Sequence, residues 1–288
     1  MAQEDEFTFF RTPHADWWTI LKGTWRQMSQ DNLSALSAGA AYYALTTLFP
    51  ALAALVSVYG LVTNPQTLEH QVEGLSGVLP AESLGLVKSW LQDLIKGGTG
   101  KFGIGLVIGV FLAWWSAWSA TSMLMTAINI CYREPERRSF LRFNLEAVVL
   151  GAVLALCGAI GLVLIAIPPL AIGYFELTGP WTVALSLARW PILALISVIT
   201  LALIYRYSPS SRPRRWEWIS WGATIATALW LIVSAGFSFY VSKFGNYDRT
   251  YGSVGAVVVM LLWMHLSAYV VLLGAELNAE LERHANKP

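Results

Sequence analysis

Charge is what this chain has least of. Asp, Glu, Lys and Arg make up 13% of its 288 residues, about half the roughly 25% of an ordinary soluble domain. So few charges cannot cover a water-facing surface. The net charge is only +1, so no global basic field points to nucleic acid. Two cysteines occur, Cys131 and Cys157, and no disulfide framework is indicated. The four histidines, His14, His70, His265 and His284, form no HExxH or HxHxDH run. Metal-assisted hydrolysis therefore lacks its usual ligand pattern. No glycine-rich phosphate loop appears, so ATP-driven work within the chain is not expected. The acidic start, MAQEDEFTFF, lacks the apolar core of a signal peptide, and the expectation is an N-terminus that stays in the cytoplasm. These absences predict a protein that is not an enzyme, with no catalytic residues, cofactor or metal site.

Apolar residues are abundant instead. They form 56% of the chain, with 14 tryptophans and a mean hydropathy of +0.53. The longest clean run, Val254–Ala275, is 22 residues whose only ionisable group is His265. About 20 residues rising 1.5 Å each cross a hydrocarbon core of about 30 Å. Similar runs predict an all-α, polytopic membrane protein with six transmembrane helices, over about 33–62, 102–130, 143–167, 190–207, 218–241 and 252–275. Residues 33–282 form the membrane domain and 283–288 a cytoplasmic tail.

Residues 1–32 form a cytoplasmic N-terminal segment. Within it, Trp17, Leu21, Trp25 and Met28 recur at helical spacing with Lys22 and Arg26 off the stripe, as in an amphipathic helix lying among headgroups. Residues 64–101 carry two further amphipathic patterns separated by Pro80. Neither is long enough to span, and together they suit a cap or lid on the outer surface. Small residues recur every fourth position at Gly105, Gly109, Ala113, Ala117 and Thr121, and again at Ala147, Gly151, Ala155 and Ala159. Such stripes let helices approach closely in lipid.

Basic residues set the orientation. One set of loops and ends holds Arg11, Lys22, Arg26, Arg133, Arg137, Arg138, Arg142, Arg206, Arg212, Arg214, Arg215, Arg283 and Lys287. The opposite set holds Lys88, Lys96, Lys101, Lys243 and Arg249. This asymmetry predicts both termini in the cytoplasm, because positive loops stay inside.

Several polar groups fall where lipid would penalise them. Arg189 has apolar sequence on both sides; it either snorkels to the outer interface beside Trp190 or holds an anionic headgroup. His265, Tyr269 and Glu276 fall near one helical face, and Asn278 follows. That face suits a proton relay or headgroup contact, or else packing for His265 and an interfacial salt bridge from Glu276 to Lys22 or Arg26. Pro50 frees the carbonyl of Thr46 and predicts a kink, a candidate hinge, with the Thr46 and Thr47 hydroxyls able to satisfy the opened backbone. Asn246, Asp248, Tyr251 and Gly252 suit an outer turn leading into the last span.

Three stretches are the most specific: YYALTTLFP in the first span, NYDRTYGSVG at 246–255 and LLGAELNAELER at 272–283. With the arginine-rich turn YRYSPSSRPRRWEW, they give a chain that resembles the YihY/BrkB family of bacterial inner-membrane proteins over residues 16–283. His265 stands where the resemblance leads us to expect an aromatic residue. The resemblance implies a multi-pass inner-membrane location with N-in and C-in ends. It also brings associations with serum resistance or virulence and an older ribonuclease BN label. The residues disfavour the nuclease. They favour transport or hand-over of a lipid or lipid-like amphiphilic anion, with a non-transporting membrane scaffold or sensor as the alternative. Membrane lipids are the expected partners, envelope proteins possible ones, and nucleic acid is not expected. No oligomeric state follows.

Overall fold

A computed structural model describes residues 17–62, 99–174, 180–210, 216–244 and 253–285. Seven helices fill these ranges: α1 (Trp17–Gln30), α2 (Leu33–Val62), α3 (Thr99–Cys131), α4 (Phe140–Tyr174), α5 (Pro180–Tyr207), α6 (Trp216–Phe244) and α7 (Ser253–Ala285). No strand occurs among the described residues, in line with the all-α expectation. Phe140–Gly161, Trp190–Tyr207, Trp221–Val241 and Val257–His284 are long and apolar enough to cross a membrane.

Helices α2 to α7 pack in chain order, and α7 returns against α2 to close a ring. Helix α7 also touches α3, while α1 lies across its C-terminal end. The buried core gathers at one end of this ring, called here the proximal end. It draws on the start of α2, the ends of α3 and α5, the start of α6 and the end of α7. Farther along, large apolar side chains such as Phe111, Trp115, Leu156, Ile232 and Phe239 are exposed. Water would penalise such a surface at about 25 cal/mol per Å², whereas hydrocarbon does not.

Several helices outrun their sequence-based limits. Helix α4 continues through Pro168 and Pro169 to Tyr174, past the expected limit of 167. Trp181–Arg189 is continuous with the following span, so Arg189 lies inside α5 and not ahead of it. Pro180 opens that helix, where its missing N–H costs nothing. Helix α7 likewise runs ten residues beyond the predicted limit of 275.

The small-residue stripes pack only in part. Gly109 and Thr121 are buried, and a Cβ on Gly151 would come within 2.9 Å of the Thr121 hydroxyl. Ala155 and Ala159 are exposed. Among the described residues, the close approach of α3 and α4 at these stripes is at Gly151 and Thr121, in the proximal half. The predicted lid is outside the described residues except for Thr99–Lys101, which belong to α3.

Candidate functional site

From Gly274 to Leu281 every residue of α7 is buried. A helix hidden on all sides is normally apolar all round, yet this stretch carries Glu276, Asn278 and Glu280. Three glycines make the room. A Cβ on Gly23 of α1 would collide with the Glu280 carboxylate, and one on Gly222 of α6 would overlap the Asn278 carboxamide. A Cβ on Gly274 would strike the Tyr205 hydroxyl and approach the Gly222 carbonyl to 3.0 Å. Backbone and polar side chain therefore meet without an intervening methyl. The Gly222 amide donates to Asn278 Oδ1 at 2.9 Å, and the Tyr205 hydroxyl donates to the Val271 carbonyl at 2.7 Å.

Glu276 is fully buried, with Arg283 Nη2 at 4.0 Å. The Asp31 carboxyl, from the joint between α1 and α2, and the Cys131 thiol stand beside it. The thiol is directed to the Leu272 carbonyl at 3.9 Å. Asp31 Oδ2 and both Glu276 oxygens find no donor among the described residues. Ionised carboxylates only accept, so a hydrogen bond between this pair requires a proton on one of them. Glu280 is better served: Arg283 Nη1 lies at 2.8 Å and His284 Nδ1 at 3.3 Å from its carboxylate. The expected salt bridge from Glu276 to Lys22 or Arg26 is replaced by this contact with Arg283 on the same helix. Because α7 continues past 275, Glu276 points into the core and not to the headgroup level.

The other sequence-marked residues divide. His265 Nδ1 lies 3.3 Å from Ser37 Oγ of α2, and its ring lies 6.4 Å from that of Tyr269. Tyr269 in turn packs against the main core. His265 is thus a hydrogen-bonded packing residue about three turns from Glu276. Helix α2 runs through Pro50, but the Thr46 and Thr47 hydroxyls bond the Tyr43 carbonyl at 2.9 and 2.7 Å. They do not serve the carbonyl of Thr46, because a helical threonine hydroxyl reaches back three or four residues. The Arg189 side chain and the turn residues Asn246, Asp248, Tyr251 and Gly252 are outside the described residues.

A second polar cluster escaped the sequence reading. Arg138, in the turn between α3 and α4, bonds Glu136 at 2.7 Å, Glu146 at 2.7 Å and the Ser208 carbonyl at 2.9 Å. Its side chain is only 4% exposed. Buried Asn129 donates to Glu136 at 2.8 Å and accepts from the Ser210 amide at 2.8 Å. The turn is thereby fastened to the end of α5. Hydrogen bonds from Arg138 hold the Glu136 carboxyl below the usual glutamate range, outweighing desolvation. Burial alone would lower the Arg138 pKa, but its two carboxylate partners raise it. In sequence these arginines registered as topology signals and anionic-lipid contacts, not as a network; a signal for Asn129 was its position at the end of an otherwise apolar span.

Among the described residues no cluster of His, Cys, Asp and Glu is arranged to hold a metal. Comparison with known proteins places the chain in context. The family model for the virulence factor BrkB matches residues 24–288. A ribonuclease-like protein of Bacillus subtilis, YfkH, is 29% identical, covering 88% of this chain and 91% of its own length. A UPF0761 membrane protein of Tolumonas auensis is also 29% identical, over 89% of this chain and 83% of that protein. One from Aeromonas salmonicida is 26% identical over 88% of this chain and 86% of its own. No solved structure matches.

Proposed function

The chain belongs to the BrkB virulence-factor family and is an integral membrane protein, and from that premise we propose that it moves or hands over a lipid-like amphiphilic anion at the inner membrane. On this reading all six helices of the ring span the bilayer, with the proximal end and both termini cytoplasmic. The observation that carries it is the asymmetry of the bundle. The ring closes at the proximal end around ionisable groups, while beyond it the helices present apolar and aromatic surface. A hollow of about 460 Å³ lined by Val107, Val110, Phe111 and Trp114 belongs to that surface. An amphiphile suits both halves; a small inorganic ion would need a charged or carbonyl-lined path.

Glu276 is the group we assign to the transport step. Facing Asp31 from a central helix, it can take up or release a proton, which changes the attraction between α7 and the α1–α2 joint. Arg189 remains the proposed headgroup contact on the opposite side. Nuclease chemistry stays disfavoured on the sequence, since its four histidines form no metal-ligand run of the kind metal-assisted hydrolysis uses. Labelled-lipid flip in proteoliposomes containing only this protein tests the proposal. Flip above empty vesicles that is lost in Glu276→Gln is expected, and flip equal to empty vesicles would count against transport.

The Arg138 network favours the alternative, a scaffold or sensor, because it builds an ordered cytoplasmic platform from the basic turns. If substitutions in those turns alone alter the cellular phenotype, with Glu276→Gln and Arg189→Ala silent, the scaffold reading replaces transport.

A further inference from the structure

A groove of about 510 Å³ runs between α4 and α5, and its two ends differ chemically. Arg138, Arg142 and Arg206 stand at the mouth, whereas Val149, Val153 and Leu203 line the inner stretch. We propose that this groove holds one phospholipid with an anionic headgroup, drawn from the cytoplasmic leaflet.

Three observations on the page select that occupant. The first is charge. Arg138 and Arg142 meet Glu146 at the mouth, and Arg138 also engages Glu136. Arg142 bonds Glu146 through Nε at 2.8 Å. Its side chain is 71% exposed, and among the described residues its two terminal nitrogens bond nothing else. A phosphate accepts from such a paired N–H edge in a bidentate manner. Arg206 adds a second cation, stacked 5.9 Å over the Tyr207 ring at the level where interfacial aromatics collect.

The second observation is depth. Arg142 to Val153 spans eleven residues of α4, or about 16 Å of helix. One leaflet of hydrocarbon is about 15 Å thick. A headgroup at the arginines thus leaves its acyl chain alongside Val149 and Val153.

The third is access. Leu145, Val149 and Tyr207 are exposed on the outer face of the bundle. The groove therefore opens sideways to the bilayer, where a lipid enters without crossing water. Its volume lies within the usual range of ligand clefts, about 300–1,000 Å³. This site does not depend on the transport proposal, since a bound lipid serves a carrier and a scaffold alike.

Native mass spectrometry of the detergent-purified full chain, titrated with phosphatidylglycerol or phosphatidylcholine, tests the assignment. A saturable single adduct with phosphatidylglycerol is expected, at least about tenfold weaker with phosphatidylcholine. Two variants act on opposite ends of the groove. The pair Arg142→Gln and Arg206→Gln removes the headgroup contacts, and Val149→Trp plugs the chain channel at an exposed position. Each is expected to weaken the phosphatidylglycerol adduct about tenfold or more. Equal affinity for the two lipids, or an adduct untouched by Val149→Trp, overturns the proposal. Displacement by inorganic phosphate at concentrations matching the lipid also overturns it, because the site would then read a free anion.

Discussion

The Gly222 amide of α6 meets the Asn278 carboxamide of α7 at 2.9 Å, where no other residue type at 222 leaves room for it. Gly222→Ala forces a methyl into space the carboxamide occupies. Overpacking of this kind costs about 1–3 kcal/mol, and a lower thermal midpoint in detergent is the expected readout. Asn278→Ala in the same background should recover part of that loss, because it removes the colliding group.

Arg138 fastens the α3–α4 turn to the end of α5 through Glu136, Glu146 and the Ser208 carbonyl. Arg138→Ala leaves nearby carboxylates without their main cation, which typically costs about 3 kcal/mol or more where the pair is buried. Glu146 retains Arg142, so the loss should fall toward the low end. Protease accessibility of the turn should rise in parallel.

Acid should loosen the same turn. The Glu136 carboxyl lies below its ordinary value because Arg138 bonds it. A depressed folded-state pKa contributes stability that is present above the unfolded value, near pH 4.3, and lost as pH falls through the folded one. Thermal midpoints measured below about pH 4 should therefore decline more in the wild type than in Glu136→Gln. Identical declines would sink the linkage.

Glu276→Gln should separate stability from activity. Its carboxylate oxygens find no donor and face Asp31. An amide at this position can donate to Asp31, so the expected midpoint is higher than in the wild type. Lipid flip should fall at the same time, as strain retained for function commonly trades against stability. A lower midpoint with unchanged flip contradicts both halves.

Orientation is open to a direct check. A phosphatase that is active only in the periplasm, fused after Pro288, should stay inactive, whereas a cytoplasmic reporter at that point should work. The opposite result reverses the cytoplasmic assignment of the proximal end and removes the lipid groove from the inner leaflet.

The helices themselves were legible because lipid imposes a simple rule. A backbone that cannot bond water must bond itself, so long apolar runs become helices whatever their neighbours. Their ends were less legible. The polar run after Ala275 reads as an exit from the membrane, yet α7 continues to Ala285 because α1 and α6 cover it there. In the same way Pro168 and Pro169 fail to stop α4, and Trp181–Arg189 joins α5.

Composition and periodicity by themselves determined that this protein is an all-helical membrane chain with a polar ending to its last apolar run. Only the tertiary structure decided that Glu276 faces Asp31, that Gly222 admits Asn278, and that Arg138 ties α4 to α5. Those relationships join residues far apart in the chain. Apolar patterning says which side of a helix avoids water, but not which polar group on another helix will stand opposite it.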